Sequence, residues 1–243
     1  MKKNIIIMVL FLIISVLCVL LGISMNKKCD VKPTVVDEKE DVKYLESTNE
    51  EVQALYDRVS YGIGMPCGLS SYYFTTNKVG VSDFSYETLF RIAAYHITKK
   101  DYKVNFSIDS VTANIKKGFG NKIQFKAATY NSTPRYRYNY DTATYEYVND
   151  NGLQTVCTED KNIVRIVMGT KSKSKFEIFV RVIFNKDGKY YKDPSYNVVL
   201  NNLIRENGKV SDTDNNIRQG TLYKMTFVNE NNNYVFSSSE MSR

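Results

Sequence analysis

Tryptophan is absent from the 243 residues, histidine occurs once, and proline and cysteine occur four times each. A single histidine excludes any metal site that needs two, and with it the common zinc hydrolase patterns. There is no C-x-x-C, no G-x-S-x-G, no phosphate-binding loop and no dinucleotide fingerprint, so the sequence implies no catalytic residue, no metal and no cofactor. Four cysteines are too few for a disulfide-dense miniprotein. A hydrophobic content of 43% with 13% aromatics excludes disorder and collagen.

What is present begins with an apolar run. Residues 5–25 read IIIMVLFLIISVLCVLLGISM, uncharged throughout and about 31 Å long as a helix, which matches a hydrocarbon core of roughly 30 Å. Lys2 and Lys3 precede it, so the short basic head is expected on the cytoplasmic side and the rest of the chain outside, as a single-pass membrane protein with an extracellular domain. Two readings stay open. The length favours an uncleaved signal anchor, whereas Gly22 and Ser24 offer the small residues of a cleaved signal, which would leave a secreted protein. Leu17 before Cys18 and Lys28 before Cys29 disfavour a lipoprotein. Either surviving reading exports residues 26 onward, where an oxidising compartment allows Cys67 and Cys157 to form a disulfide.

Residues 26–47 are charged and lack an apolar period, which reads as a stalk, and residues 48–243 as one domain. Thr48 and Glu51 make a T-x-x-E capping box, followed by Val52, Leu55, Tyr56 and Val59 at helical spacing. A second helix is expected over 86–99, capped by Asp83 or Ser85, with Leu89, Ile92, Ala93, His96 and Ile97 on its buried stripe. The only histidine thus reads as a core residue. A third helix fits 109–117, with Val111 and Ile115 inward and Gly118 as its stop. From residue 120 the period changes to two, and 123–130, 135–140, 145–148, 163–168 and 176–184 read as strands. A turn is expected at 186–189, residues 196–204 are ambiguous between strand and helix, and 221–228 with 234–239 read as a closing hairpin. Helices followed by antiparallel strands predict an α+β fold, with two or three helices packed on a curved antiparallel sheet. By element order this is similar to cystatin-like or NTF2-like folds.

The segments VSDFSYETLFRIA, IKKGFG and YVFSSSE resemble pieces of uncharacterised membrane-anchored exported proteins of low-GC Gram-positive bacteria, which share an N-terminal anchor, a helix pair and a tyrosine-rich sheet. The resemblance implies no activity and assigns no site residue.

Two features point to binding. Residues 26–60 hold six basic and nine acidic side chains, whereas 61–243 hold 25 and 17, so an acidic stalk would carry a basic body. Outside a cell such a body concentrates anionic wall polymers, lipid headgroups or acidic envelope proteins, and the topology excludes nucleic acid. Lys171, Lys173 and Lys175 alternate and would form a row in an extended chain, as would Arg135 and Arg137. Read blandly, these are gatekeepers at hairpin tips. Tyr136, Tyr138 and Tyr140 share one strand face, and Tyr145 and Tyr147 return beside them. Exposed, the five would form a platform for sugar rings or a peptide; buried, they fix register. Asp212 and Asp214 lack the glycine and closing glutamate of a calcium loop. The expectation is therefore a non-enzymatic, membrane-anchored binding or accessory domain that recognises an envelope protein or an anionic wall polymer. The alternative is an envelope hydrolase whose carboxylates the sequence does not disclose.

Overall fold

The computed structural model describes residues 41–60, 72–98, 104–130, 135–148, 162–206, 209–211 and 213–242. Strand β1 (Lys43–Glu46) opens the described chain, inside the span read as stalk. Its charged flanks hide one inward residue, Leu45, which is buried in the core. Helix α1 (Glu50–Val59) follows after a turn in which the Asn49 N–H donates to the Glu46 carbonyl at 3.0 Å. That turn takes up residues 47–48, so the helix cap is Asn49, whose Oδ1 accepts the Glu51 N–H at 3.0 Å, and not Thr48. The predicted stripe of Val52, Leu55, Tyr56 and Val59 is buried.

Strand β2 (Val79–Gly80) leads into helix α2 (Tyr86–Thr98). Ser85 caps it, its Oγ accepting the Thr88 N–H at 3.1 Å. Strand β3 (Phe106–Ser107) enters helix α3 (Ile108–Phe119), where the Ser107 Oγ accepts the Ser110 N–H at 3.2 Å. The helix does not stop at Gly118 as the sequence suggested. Gly118 lies inside α3 where the helix packs on Arg58 and Val59 of α1, a Cβ there meeting the Arg58 carbonyl oxygen at 3.4 Å, and Gly120, at φ 92°, ends the helix.

Residues 123–130 form no strand, contrary to expectation; only Tyr130 makes an isolated bridge, to Tyr136. Their alternating apolar side chains find burial by draping over α2, Phe125 meeting Tyr86 at 6.1 Å and Tyr130 meeting Phe90 at 5.2 Å. Strands β4 (Tyr136–Asn139) and β5 (Thr144–Tyr147) then join β3 in a small sheet of order β3-β5-β4.

The centre of the large sheet comes from the second half of the chain, with β1 and β2 at its edges. Strands β6 (Ile163–Lys171), β7 (Lys175–Lys186), β11 (Thr221–Glu230) and β12 (Asn233–Met241) form its centre, in the antiparallel order β1-β6-β7-β11-β12-β2. Strand β8 (Lys189–Tyr191) pairs with the far end of β7, and β9 (Arg205–Glu206) with β10 (Lys209–Val210). Both expected turns are two-residue loops with left-handed backbone, Asp187 and Gly188 at φ 53° and 73°, and Asn231 and Asn232 at φ 53° and 66°. Such turns match the twist of a hairpin, and Asp, Asn and Gly tolerate them. Bulges at Val167 in β6 and Ser237 in β12 interrupt the register.

Helices α1, α2 and α3 bury their stripes with one face of this sheet: Phe176, Ile178, Val180, Val182 and Phe184 of β7 and Tyr223, Met225 and Phe227 of β11. The fold is α+β, with helices on a large antiparallel sheet. On the other face of β7, Ile183 is buried where the short helix α4 (Asp214–Ile217) packs against the strand. Among the described residues no helix is long and apolar enough to cross a membrane; the run at 5–25 lies outside them, as do Cys67 and Cys157.

Candidate binding surfaces

The expected tyrosine ladder forms. The β4–β5 turn is tightened by Asn139 Oδ1, which accepts the N–H groups of Asp141 and Thr142 at 3.0 and 3.3 Å. The resulting register sets Tyr138 opposite Tyr145 and Tyr136 opposite Tyr147, with ring centroids 4.9 and 6.0 Å apart. The ladder faces inward. Tyr136 and Tyr145 are fully buried against Phe106 and Phe90, Tyr145 lying 4.5 Å from the Phe90 ring, and burial raises the Tyr145 phenol well above its ordinary pKa. Tyr138 and Tyr147 are half-buried, and only Tyr140, 74% exposed, presents its ring to solvent. On the other side of β4, Arg137 pairs with Glu146 at 3.1 Å, and the Asn139 amide also donates to Glu146 at 2.8 Å. These two partners, Asn139 first, hold the Glu146 carboxyl below its ordinary pKa. Arg135 is exposed at the start of the same hairpin, two residues from Arg137.

The expected row of lysines does not form. Lys171 ends β6, Lys175 begins β7, and residues 172–174 turn the chain between them, the Ser172 N–H donating to the Lys175 carbonyl at 2.8 Å. The serines that alternate with these lysines are turn formers, which is why the segment bends instead of running extended. Lys171 reaches Glu51 on α1 at 2.7 Å, Lys175 reaches Glu177 at 3.1 Å, and Lys173 sits exposed at the tip.

Two carboxylates of the large sheet, Glu177 and Glu240, are similarly committed. Glu177 also meets Lys224 at 3.7 Å, Lys224 meets Glu240 at 3.2 Å, and Glu240 meets Lys78 at 3.7 Å, an alternating line of charge across β7, β11 and β12. Lys224 and Lys78 hold the Glu240 carboxyl below its ordinary pKa. Asp214 pairs with Arg165, and Asp212 lies outside the described residues. The basic excess is displayed instead: Lys116, Lys117, Lys122, Lys126, Lys186 and Lys189 are exposed and make no ion pair among the described residues.

A further surface was not anticipated from the sequence. After β7, Lys186 lies 4.8 Å over the Tyr196 ring, Tyr196 meets Tyr191 edge-on at 5.3 Å, and the Arg205 guanidinium lies 5.9 Å over Tyr190. Tyr196 adopts a left-handed backbone, φ 58°, unusual for an aromatic residue. Asp193 supports it by accepting the N–H groups of Ser195, Asn197 and Val198 at 3.0, 3.4 and 3.0 Å. The legible signal was K-D-G-K-Y-Y-K-D-P-S-Y at 186–196, three tyrosines and three lysines around two turn sequences.

His96 is half-buried on α2, facing the end of α1 where Asp57 and the Ser60 backbone adjoin it. Burial lowers its pKa, and its Nε2 has no hydrogen-bond partner among the described residues. No described cluster of His, Cys, Asp and Glu could hold a metal ion. Comparison with known proteins finds no matching family profile, curated protein or solved structure.

Proposed function

We propose that this chain is a membrane-anchored, extracytoplasmic binding domain, of cystatin-like or NTF2-like arrangement, that holds an anionic wall polymer. The observation that supports the reading is the division of charge. Glu177 and Glu240 of the large sheet are tied to lysines, while Lys116, Lys117, Lys122, Lys126, Lys186 and Lys189 stand exposed without ion pairs among the described residues. Dispersal over a helix end and hairpin tips suits a ligand of repeating negative charge better than a small molecule in a pocket. Such attraction is screened over about 8 Å at physiological salt and about 3 Å at 1 M.

The test is retention of the full chain on isolated cell walls, with their anionic polymer intact or stripped. Retention should fall steeply with salt, disappear on stripped walls, and weaken when Lys116, Lys117, Lys122 and Lys126 are changed together to Ser without a change in Tm. Equal retention on stripped walls would overturn the reading. Reproducible crosslinking in intact cells to one envelope protein would replace it with that of an accessory subunit.

A further inference from the structure

At one end of the large sheet two hairpin turns and a helix end are tied together. Asn229, near the end of β11, reaches the β6–β7 turn twice: its N–H donates to the Ser174 carbonyl at 2.8 Å and its Nδ2 to the Lys173 carbonyl at 2.9 Å. Across the β11–β12 turn, Asn233 Nδ2 donates to the Lys117 carbonyl in the last turn of α3 at 3.2 Å, and Asn233 Oδ1 accepts from Arg58 of α1 at 2.8 Å. These bonds fix one ridge, which runs from Lys173 through the asparagine turn to Lys117, Asn121 and Lys122. The three lysines are exposed and make no ion pair among the described residues. At the crest between them Asn231 and Asn232 are exposed, and their side-chain amides make no hydrogen bond among the described residues. The ridge holds one acid, Glu230, whose Oε2 accepts the Asn121 N–H at 3.4 Å. Around it, Glu51 and Glu177 are held by Lys171 and Lys175 at 2.7 and 3.1 Å, Asp41 and Asp57 lie within two residues of Lys43 and Arg58, and Glu50 has no cation. The balance is positive: Lys116, Lys117, Lys122 and Lys173 stand against Glu230 and Glu50.

The geometry points to this ridge as the binding site for a polyol-phosphate chain, a polymer that alternates phosphodiester groups with hydroxyl-bearing carbons. Lysines on either side suit the phosphates, and the amides between them, each offering two donors and an acceptor, suit the hydroxyls. The kind of cation selects phosphate over carboxylate. A planar carboxylate is met best by a guanidinium fork, and the arginine of this end, Arg58, is committed to Asn233 and to the Tyr234 carbonyl. What is free is lysine, a compact point charge that a phosphodiester accepts from any side. The inference rests on the wall-polymer reading and gives that polymer a chemistry and a place on the fold.

The test measures binding of the full chain, held in neutral detergent micelles at low salt, to poly(glycerol phosphate), polygalacturonate, inorganic polyphosphate and glycerol 3-phosphate. We expect poly(glycerol phosphate) to bind about tenfold tighter than polygalacturonate of equal charge, and about a hundredfold tighter than glycerol 3-phosphate because a chain engages the ridge at several points. Lys117→Ser/Lys122→Ser/Lys173→Ser should weaken it about tenfold without a change in Tm, and Lys186→Ser/Lys189→Ser, at the opposite end of β7, less than about twofold. Asn231→Gly/Asn232→Gly keeps the left-handed turn, which glycine adopts freely, and removes only the amides. It should weaken poly(glycerol phosphate) about threefold and leave polyphosphate, which has no hydroxyls, unchanged. Equal binding of polygalacturonate would overturn the phosphate chemistry, and glycerol 3-phosphate bound as tightly as the polymer would reduce the ligand to a single headgroup and overturn the chain. Equal losses from the two lysine sets would overturn the site and leave the wall-polymer reading standing, whereas equal retention on stripped and intact walls would overturn both.

Discussion

A Cβ at Gly169 would lie 2.7 Å from Val52 Cγ2 and 3.1 Å from Phe176 Cε1, so the absence of a side chain in β6 is what lets α1 sit on the sheet at this point. Val52 is completely buried and β-branched, with little freedom to turn aside. Gly169→Ala should therefore destabilise the fold by about 1–3 kcal/mol through overpacking. The cost should be smaller in a Val52→Ala background, which opens the space. A double-mutant cycle in urea measures this, and additive effects would mean that the two residues are not in conflict.

Asn216 is fully buried, and its amide serves three backbone groups at 2.8 Å: the N–H and carbonyl of Ile204 and the carbonyl of Ser211. No water or neighbouring side chain is needed to explain its burial, because donors and acceptor are all used. Asn216→Ala leaves these groups unpaired, at about 1–3 kcal/mol for each that stays dry. We expect a loss of at least about 2 kcal/mol in chemical denaturation, and exchange at 200–206 that speeds up more than in β7. A loss confined to global stability, with the 200–206 amides unaffected relative to the core, would contradict the local role.

The parts of this fold that were legible share one property: their burial comes from an element's own period. The β7 alternation from Phe176 to Phe184, the α1 stripe at Val52, Leu55, Tyr56 and Val59, and the turns at Asp187-Gly188 and Asn231-Asn232 all follow from local pattern. What failed depended on tertiary context. Phe125 and Tyr130 alternate like a strand but satisfy their burial on α2. Gly118 looked like a stop and proved to be a contact with Arg58. Leu45 is one apolar inward residue in a charged segment, too little signal to announce β1. Of the candidate surfaces, the tyrosine pairing was readable, but its facing toward Phe90 was not, since period two says which residues share a face and not which face is covered. The Lys186–Tyr196 and Arg205–Tyr190 contacts arise from a loop folded back on itself, which no spacing rule encodes.

Two tyrosines of the ladder should part company on mutation. Tyr145 is wholly buried between Phe90 and Tyr138, at ring distances of 4.5 and 4.9 Å, whereas Tyr140 touches Tyr138 from the solvent side. Tyr145→Ala should cost about 3–5 kcal/mol, as other large-to-small changes of buried aromatics do. Tyr140→Ala should stay within about 0.5 kcal/mol, the usual range at exposed positions. Thermal unfolding of the two variants decides the matter. A large loss at Tyr140 would show that the ladder's stability extends into its exposed end, and would leave no tyrosine of this sheet free to serve a ligand.

His96 gives the fold a pH dependence whose sign follows from its surroundings. Burial lowers its pKa in the folded state below the ordinary 6.5; the Ser60 backbone and Asp57 oppose the shift, and Lys117 adds to it. The unfolded chain therefore binds a proton at His96 more readily than the folded one. Stability contributed by the neutral imidazole is present above pH 6.5 and is lost as pH falls from there toward the folded value. Asp57 works the other way. Burial raises its pKa above the ordinary 3.8, so its folded form takes up a proton first and stability is regained as pH falls through that raised value. Glu146 and Glu240, both lowered from 4.5, lose stability only at more acid pH, so unfolding free energy measured in urea between pH 8 and pH 5 is compared for the natural chain and His96→Gln to separate the histidine limb from that of Asp57. We expect it to decline below pH 6.5 in the natural chain and not to decline there in His96→Gln. In Asp57→Asn the neighbouring negative charge is gone, the folded His96 pKa falls further, and the decline should steepen. An unchanged slope in His96→Gln would move the acid sensitivity to another group.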